Sequence, residues 1–419
     1  MVQLKKNEAI IIFGDTFTFP EGNAATNRVH TFAKGFLENK LSAFVICFRN
    51  DYTENIEGTY DGIGYFYPYG QKVRSTFFLI RRWVKLFKYI KTYVILKNLS
   101  QQNEILAINL WTNTLRTQLF VYFLGKVFKI KIIHEHSEHP LREYQVPWIR
   151  RIWGEIKSFL GTRLCDGIFC ISQYLMEYYK HRKVKNYKLL LVPSTVDNER
   201  FNIKRDTPLP YNYIAYCGSL TITKDGVNIL IDSFSQIAAE KPDIHLVLIG
   251  KGDSADEEAA IRRQTEQLNL SGRVHFLGQL SRTEVPAYLT GAKILALARP
   301  TSIIADAGFP SKLTEYLSTG KPVVVTKVGE IPFYLKDSED AFLSEPDSAE
   351  EFAGKLRYVL DHYEFALTVG KSGKRLTETV FNHNFQAARM VGFIKSLNAT
   401  QKNSNLLESN VPTSEQVKP

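Results

Sequence analysis

Short runs of β-branched and aliphatic residues alternate with helical stretches twice along this chain, and that rhythm restricts it to a doubly wound α/β architecture. In the first series the runs at 9–13, 43–48, 104–110, 128–134, 167–171 and 188–192 read as strands buried on both faces, being apolar throughout rather than alternating. Helices are expected between them at 24–39, 73–97, 114–126, 147–162 and 172–181. The second series opens with strand 213–217. It continues through helix 227–240, strand 245–249, helix 256–268, strand 275–277, helix 283–290 and strand 294–297. A chain of 419 residues exceeds one ordinary core, so two domains are expected, 1–200 and 208–375, joined through 197–207. Ser348 is placed to cap a helix reaching about His362, with Glu350 and Glu351 at its positive end. A last helix within 380–397 is available to return to the first domain, and the polar run 398–419 reads as a disordered tail.

Composition narrows the class. An apolar fraction of 44% and a charged fraction of 23% suit a globular protein. Cys47, Cys165, Cys170 and Cys217 lie in or beside strand-like runs without a Cys-x-x-Cys pair, so buried free thiols are expected rather than disulfides or a zinc site. Nothing near Met1 reads as a signal peptide, since the run 9–13 is short and ends in Gly14-Asp15; a reducing cytoplasm is the expected compartment. Charge is unevenly divided: residues 1–205 hold 31 Lys/Arg against 17 Asp/Glu, the remainder 22 against 26. A basic first half points to an anionic partner for that half alone. In the stretch 73–97, Leu79, Trp83, Leu86, Phe87, Ile90 and Val94 recur at steps of three and four. Arg81, Arg82, Lys85, Lys88 and Lys91 take the other side, and no acid stands between Asp61 and Glu104. Two readings stay open: a crossover helix with its apolar side on the sheet, or peripheral contact with an anionic membrane surface. Charges on every turn argue against a span. Nucleic acid is not expected, because no recognised binding motif accompanies the basic pI of 9.2.

The passage Gly308-Phe309-Pro310-Ser311-Lys312-Leu313-Thr314-Glu315-Tyr316, closed by Gly320-Lys321-Pro322, carries the most chemistry. It reads as a loop, a short helix with Ser311 as N-cap, and the buried strand Val323-Val324-Val325. A glycine-containing loop opening onto a helix N-terminus presents backbone N–H groups and the positive dipole end, and Lys312 adds a full charge. That combination suits a phosphate. Glu315, one turn inside, is placed to accept from the hydroxyls of a ribose. On these residues the chain resembles a family 4 (group 1) glycosyltransferase of the GT-B architecture. Such enzymes carry a Glu, seven residues, a second Glu, and then a Gly-x-Pro-Val-Val turn and strand. Glu315 matches the second Glu, and Gly320-Lys321-Pro322-Val323-Val324 matches the turn. Ala307 stands in place of the first Glu, with Asp306 beside it. The likeness runs over roughly residues 8–397 and includes Val192-Pro193-Ser194-Thr195-Val196-Asp197 with Arg200-Phe201, similar to the family's passage into its second domain.

The resemblance implies two doubly wound Rossmann-like domains facing a central cleft. It also implies retaining, metal-independent transfer of a sugar from a nucleoside-diphosphate sugar to a glycan or lipid-linked acceptor. Bacterial cell-surface polysaccharide or lipopolysaccharide synthesis is the matching setting, in the cytoplasm or at the inner face of the plasma membrane, with no cofactor and no metal. Under it Lys312, Arg299 and Lys224 hold the diphosphate, Glu315 binds the ribose, and His136, ahead of His134, contacts the reacting sugar. The donor loops are those of Gly22, Gly218 with Ser219, Gly250, Leu277, and Gly308, Phe309, Pro310, Ser311 and Leu313. Ser219 occupies the family's arginine position and Asp225 directly precedes Gly226, so the charge-neutralising set is assembled differently here. Plainer readings stand beside these: a strand-to-helix turn at 19–23, packed or surface histidines at 134 and 136, and solvated lysines. The departures leave two other functions open, a nucleotide-sugar epimerase of the same architecture and a catalytically silent relative that binds at the membrane.

Overall fold

The structure, a computed structural model, describes residues 6–51, 53, 55–139, 148–203 and 208–399. Residues 400–419 of the expected tail, and 204–207 of the expected connection, lie outside that range. Two compact units result, one from the chain up to Val192 and from Asn384 onward, the other Pro193–His383. The first boundary falls ahead of 197 because Val196 is already tied into the second unit, its N–H donating to the Phe381 carbonyl (3.0 Å). Asn198 likewise donates to the carbonyl of Thr377 (3.0 Å).

The first unit begins with β1 (Asn7–Gly14), α1 (Ala24–Glu38), β2 (Ser42–Cys47) and the pair β3 (Glu57–Tyr60) and β4 (Ile63–Phe66). It continues with α2 (Phe78–Gln102), β5 (Asn103–Trp111), α3 (Leu115–Phe128), β6 (Lys131–His136), α4 (Trp148–Leu164), β7 (Gly167–Cys170), α5 (Gln173–His181) and β8 (Leu189–Leu191). Its sheet has the order β3-β4-β2-β1-β5-β6-β7-β8, parallel except for β3, which runs antiparallel to β4. That hairpin turns on Asp61 and Gly62, both at positive φ. Its short strands, rich in Gly and Tyr, carry no apolar run that announces them. On one face of the sheet Val29, Phe32 and Phe36 of α1 meet Ile10, Ile12 and Val45. On the other, Tyr89 of α2 and Phe120 of α3 pack about Phe48.

α2 overturns the reading that put its apolar side on the sheet. It turns Lys88, Thr92, Leu96 and Leu99 inward, while Leu79, Trp83, Leu86, Phe87, Ile90 and Val94 are exposed. Lys88 is held on that inward side by specific contacts. Its ammonium donates to Asn50 Oδ1 (2.8 Å) and sits 4.0 Å from the centre of the Phe48 ring.

The second unit contains β9 (Asn212–Cys217), α6 (Val227–Ala238), β10 (Ile244–Ile249), α7 (Ala255–Gln267), β11 (Val274–Gly278), α8 (Val285–Gly291) and β12 (Ile294–Leu297). After them come α9 (Ile303–Ala307), α10 (Ser311–Ser318), β13 (Val323–Thr326), α11 (Ile331–Tyr334), β14 (Phe342–Ser344), α12 (Ala349–Asp361) and α13 (Tyr363–Glu378). The last helix, α14 (His383–Ala399), places Ala387, Met390, Ile394 and Leu397 in the core of the first unit. The second sheet is parallel in the order β11-β10-β9-β12-β13-β14. The winding reverses at β9, and open α/β sheets hold ligands beyond the carboxyl ends of the strands at such a reversal.

Candidate active site

Glycines let three strand-end loops close around one lysine in the second unit. Gly226 follows β9 with φ +65°, and a Cβ there would overlap the carbonyl of Ala298 just past β12. The loops after β9 and β12 therefore touch across the winding reversal. A side chain on Gly218 would overlap the Lys312 ammonium, and one on Gly250 would overlap the carbonyl of Gly218. Gly250 donates in turn to the Gly278 carbonyl (2.8 Å), which joins the β10 and β11 loops.

Lys312, the second residue of α10, reaches through this opening to Asp225 Oδ2 (2.5 Å) and the Tyr216 hydroxyl (3.1 Å). Tyr216 donates to the Ser219 carbonyl (2.5 Å) and lies 3.1 Å from Asp225 Oδ2. Ser219 thus supplies a backbone acceptor where the family has a guanidinium. Arg299 is 2% exposed and donates from Nε to the Lys224 carbonyl (3.3 Å), while its own carbonyl accepts from Thr326 (2.7 Å). Burial alone would raise the Asp225 pKa. The Lys312 ammonium, then Arg299 and Lys224, outweigh it and hold the carboxyl below its ordinary value. Burial lowers both Lys312 and Arg299, with Asp225 opposing the shift in each. Three cations thus act on one carboxylate, with Asp306 as a second acid near Arg299.

The donor-loop residues divide between side chain and backbone. Phe309 packs its ring on Tyr334 and Phe381, and Leu313 is fully buried, so both belong to the core by their side chains. Ser311 is the first helical residue of α10 rather than its cap; Pro310 precedes it and gives no side-chain cap bond, so no hydroxyl closes off the helix end. Gly308 ends α9, and Ala307 beside it, in the place of the first Glu of the resembled motif, is fully buried. Asp306 contributes to the field at Arg299 instead. Leu277 lies half-buried in β11. Glu315 accepts from Arg200 Nη1 (2.7 Å) with both side chains largely buried, and Arg200 also donates to the Arg282 carbonyl (3.1 Å). One edge of the carboxylate expected on a ribose is therefore held by a guanidinium.

Two expected residues lie in the first unit. Gly22 is exposed before α1, with the Thr18 and Thr26 hydroxyls crowding the place of a Cβ. His134 Nε2 faces the Thr112 carbonyl (3.1 Å), which can only accept, so that nitrogen carries the proton. His134 Nδ1 then accepts from His136 Nε2 (3.2 Å), and His136 Nδ1 accepts from the Tyr179 hydroxyl (2.9 Å). Burial, and then the neighbouring His134, push His136 well below the ordinary histidine pKa. With both ring nitrogens committed, His136 is a fixed neutral ring rather than a general base. Nearby, at the winding reversal of the first sheet, Thr112, Thr114 and Thr117 all donate to Asp15 Oδ2 (2.9–3.0 Å). Among the described residues no three His, Cys, Asp or Glu side chains group to hold a metal ion.

Asp225, Tyr216, Arg200 and Asp15 were not assigned a role in the site by the sequence reading. The signal for Asp225 was its position directly before Gly226; its partner lies 87 residues away, and no local spacing records that pairing.

Residues 197–376 match the model of the family described as glycosyl transferases group 1. An uncharacterized glycosyltransferase of Methanocaldococcus jannaschii is 25% identical over 218 residues, 52% of this chain and 56% of its own length. The match thus spans about half of that relative. Sucrose-phosphate synthase from Thermosynechococcus elongatus has a TM-score of 0.71 at 18% identity, covering 94% of this chain and all of its own. The Anabaena protein HepE, in complex with UDP and glucose, has a TM-score of 0.68 at 16% identity, covering 92% of this chain and 99% of its own. The chain has the GT-B fold, and its residues 197–376 match the glycosyl transferases group 1 model.

Proposed function

We propose that this protein transfers a sugar from a nucleoside-diphosphate sugar to a glycan or lipid-linked acceptor, with retention at the anomeric carbon and without a metal ion. The observation that carries this reading is the Lys312–Asp225–Tyr216 cluster beside the uncapped end of α10, with Arg299 and Lys224 around the same carboxylate. Its clustered cations suit a diphosphate, whose departure needs stabilisation as the glycosidic bond lengthens. Fixed cations and helix amides supply that stabilisation where other enzymes use a bound cation. Glu315, held by Arg200, is the acceptor assigned to the ribose. His136 packs near the reacting sugar as a neutral ring. Cell-surface polysaccharide or lipopolysaccharide synthesis fits the basic first unit, and an anionic membrane surface as its partner belongs to the same reading.

Titration calorimetry with UDP and GDP, on the wild type and Glu315→Ala, tests the donor assignment. Strong nucleotide binding by the wild type and its loss in the variant are expected; equal affinity in both removes Glu315 from the donor site. Incubating the enzyme with nucleotide sugars and a lipid extract then separates transfer to an acceptor from epimerisation with release of free sugar.

A further inference from the structure

α10 is too short to hold itself in place. It has eight residues, well below the roughly 12–15 at which an isolated helix persists in water, so its neighbours decide where Lys312 and Glu315 stand. One attachment is at the carboxyl end of β9, where the Cys217 N–H donates to the Tyr316 hydroxyl (2.7 Å) and Lys312 meets Asp225. A second is a single 3-10 turn, Asn198–Phe201, soon after the chain enters the second unit.

Side chains from that turn grip α10 at points one helical turn apart. Arg200 Nη1 donates to Glu315 Oε1 (2.7 Å), and Asn198 Oδ1 accepts from the Ser318 hydroxyl (2.8 Å). Both residues are also tied elsewhere. Arg200 Nη2 donates to the Arg282 carbonyl (3.1 Å) ahead of α8, and Asn198 Nδ2 to the Thr377 carbonyl (3.0 Å) in α13. The turn is itself fastened, since Asp197 caps it by accepting from the Glu199 N–H (3.2 Å) and Phe201 is buried. α10 is thus set against α13 and the β11–α8 connection through one short segment. A guanidinium suits the task because its rigid plane engages a carboxylate and a carbonyl together, where a lysine offers a single flexible point charge. The Arg200 and Glu315 side chains are 11% and 14% exposed, so little water competes for the pair.

We propose, with Glu315 taken as the ribose acceptor, that the Asn198–Phe201 turn is a strap that positions the donor site. Arg200 orients the Glu315 carboxylate, Asn198 fixes α10 through Ser318, and neither side chain touches the nucleotide. Both are positioning residues. A carboxylate free to turn presents the wrong edge to the ribose hydroxyls, and a displaced α10 carries Lys312 with it. Misplacement by about 1 Å in a reacting site costs on the order of a hundredfold.

Titration calorimetry with UDP and GDP on a double-mutant cycle tests the strap. Arg200→Met is expected to weaken nucleotide binding roughly tenfold, but less than about twofold further once Glu315→Ala is present, because coupled residues do not add. Arg200→Lys, which keeps one charge-assisted bond to Glu315, should recover part of the loss. Asn198→Ala and Ser318→Ala form a second cycle with the same pattern and a smaller effect, and neither strands a charge. Thermal melts of every variant separate placement from folding. Wild-type affinity in both Arg200→Met and Asn198→Ala, with only the melting temperature lowered, makes the turn structural and overturns the proposal. A full loss from Arg200→Met on top of Glu315→Ala also overturns it, since Arg200 then binds the nucleotide itself. Unchanged affinity in Glu315→Ala alone removes the donor reading and the strap with it; in the other two failures Glu315→Ala alone still weakens binding.

Discussion

Lys312 and Asp225 form a buried pair whose chemistry separates stability from activity. Their side chains are 15% and 3% exposed, so removing one partner strands the other away from water. Breaking such a pair costs about 3–5 kcal/mol, whereas replacing both members can be nearly neutral. Lys312→Met is therefore expected to lower both stability and turnover, the latter by about 10²–10³-fold as for loss of one transition-state donor. Adding Asp225→Asn should restore most of the unfolding free energy, read by urea titration, and none of the turnover. If activity returns with stability, Lys312 acts on the fold and not on the diphosphate. The sequence exposed Lys312, because a helix start after a glycine loop is a local pattern. It concealed Asp225 and the Arg200–Glu315 pair, whose partners are 87 and 115 residues apart and meet only through the winding of the sheet.

At the scale of elements, buried parallel strands were legible because both of their faces are apolar, and their order in the chain gave the alternation. α2 departs from that logic, which had left its apolar side open to either the sheet or a membrane surface. An apolar stripe ordinarily marks the core side of a helix, but here the core side is marked by Lys88, Thr92, Leu96 and Leu99. The β3–β4 hairpin lacks any comparable run. The inward lysine has a measurable consequence. Burial pushes Lys88 down to about 8; Asp15 opposes the shift, while Lys85 and Arg116 add to it. An unfolded lysine keeps its proton to about pH 10.4. Between these two values the unfolded chain binds one proton more than the native one, so stability gains with rising pH in that window and the burial penalty is fully present below it. Lys88→Met removes the titration. Urea midpoints from pH 7.5 to 10.5 should show the variant's advantage over the wild type shrinking as pH rises. A difference that stays constant across the window means that Lys88 remains charged throughout, held by Asn50 and Asp15.

On the scale of the molecule, the two units differ in how the chain closes them. The second, Pro193–His383, is continuous, while the first needs the chain to come back after Asn384. That return is α14, whose Met390, Ile394 and Leu397 are at most 5% exposed among α1, β1 and β2 residues of the first core. Burying an aliphatic side chain of this size contributes about 1.5–3 kcal/mol. Three of them approach the whole margin of a domain, about 5–15 kcal/mol. Loss of the helix also uncovers Phe169, whose ring lies 5.8 Å from that of Phe393. Truncation after His383 is therefore expected to unfold or aggregate the first unit while sparing the second, whose core lies entirely ahead of the cut. Calorimetry should show the full chain's unfolding reduced to the second unit's transition. UDP or GDP binding at the Lys312 cluster should persist in the truncated chain, because Lys312, Asp225, Tyr216, Arg299, Glu315 and Arg200 all lie within 193–383. Loss of nucleotide binding together with a surviving first-unit transition would mean that α14 serves the site and not the core.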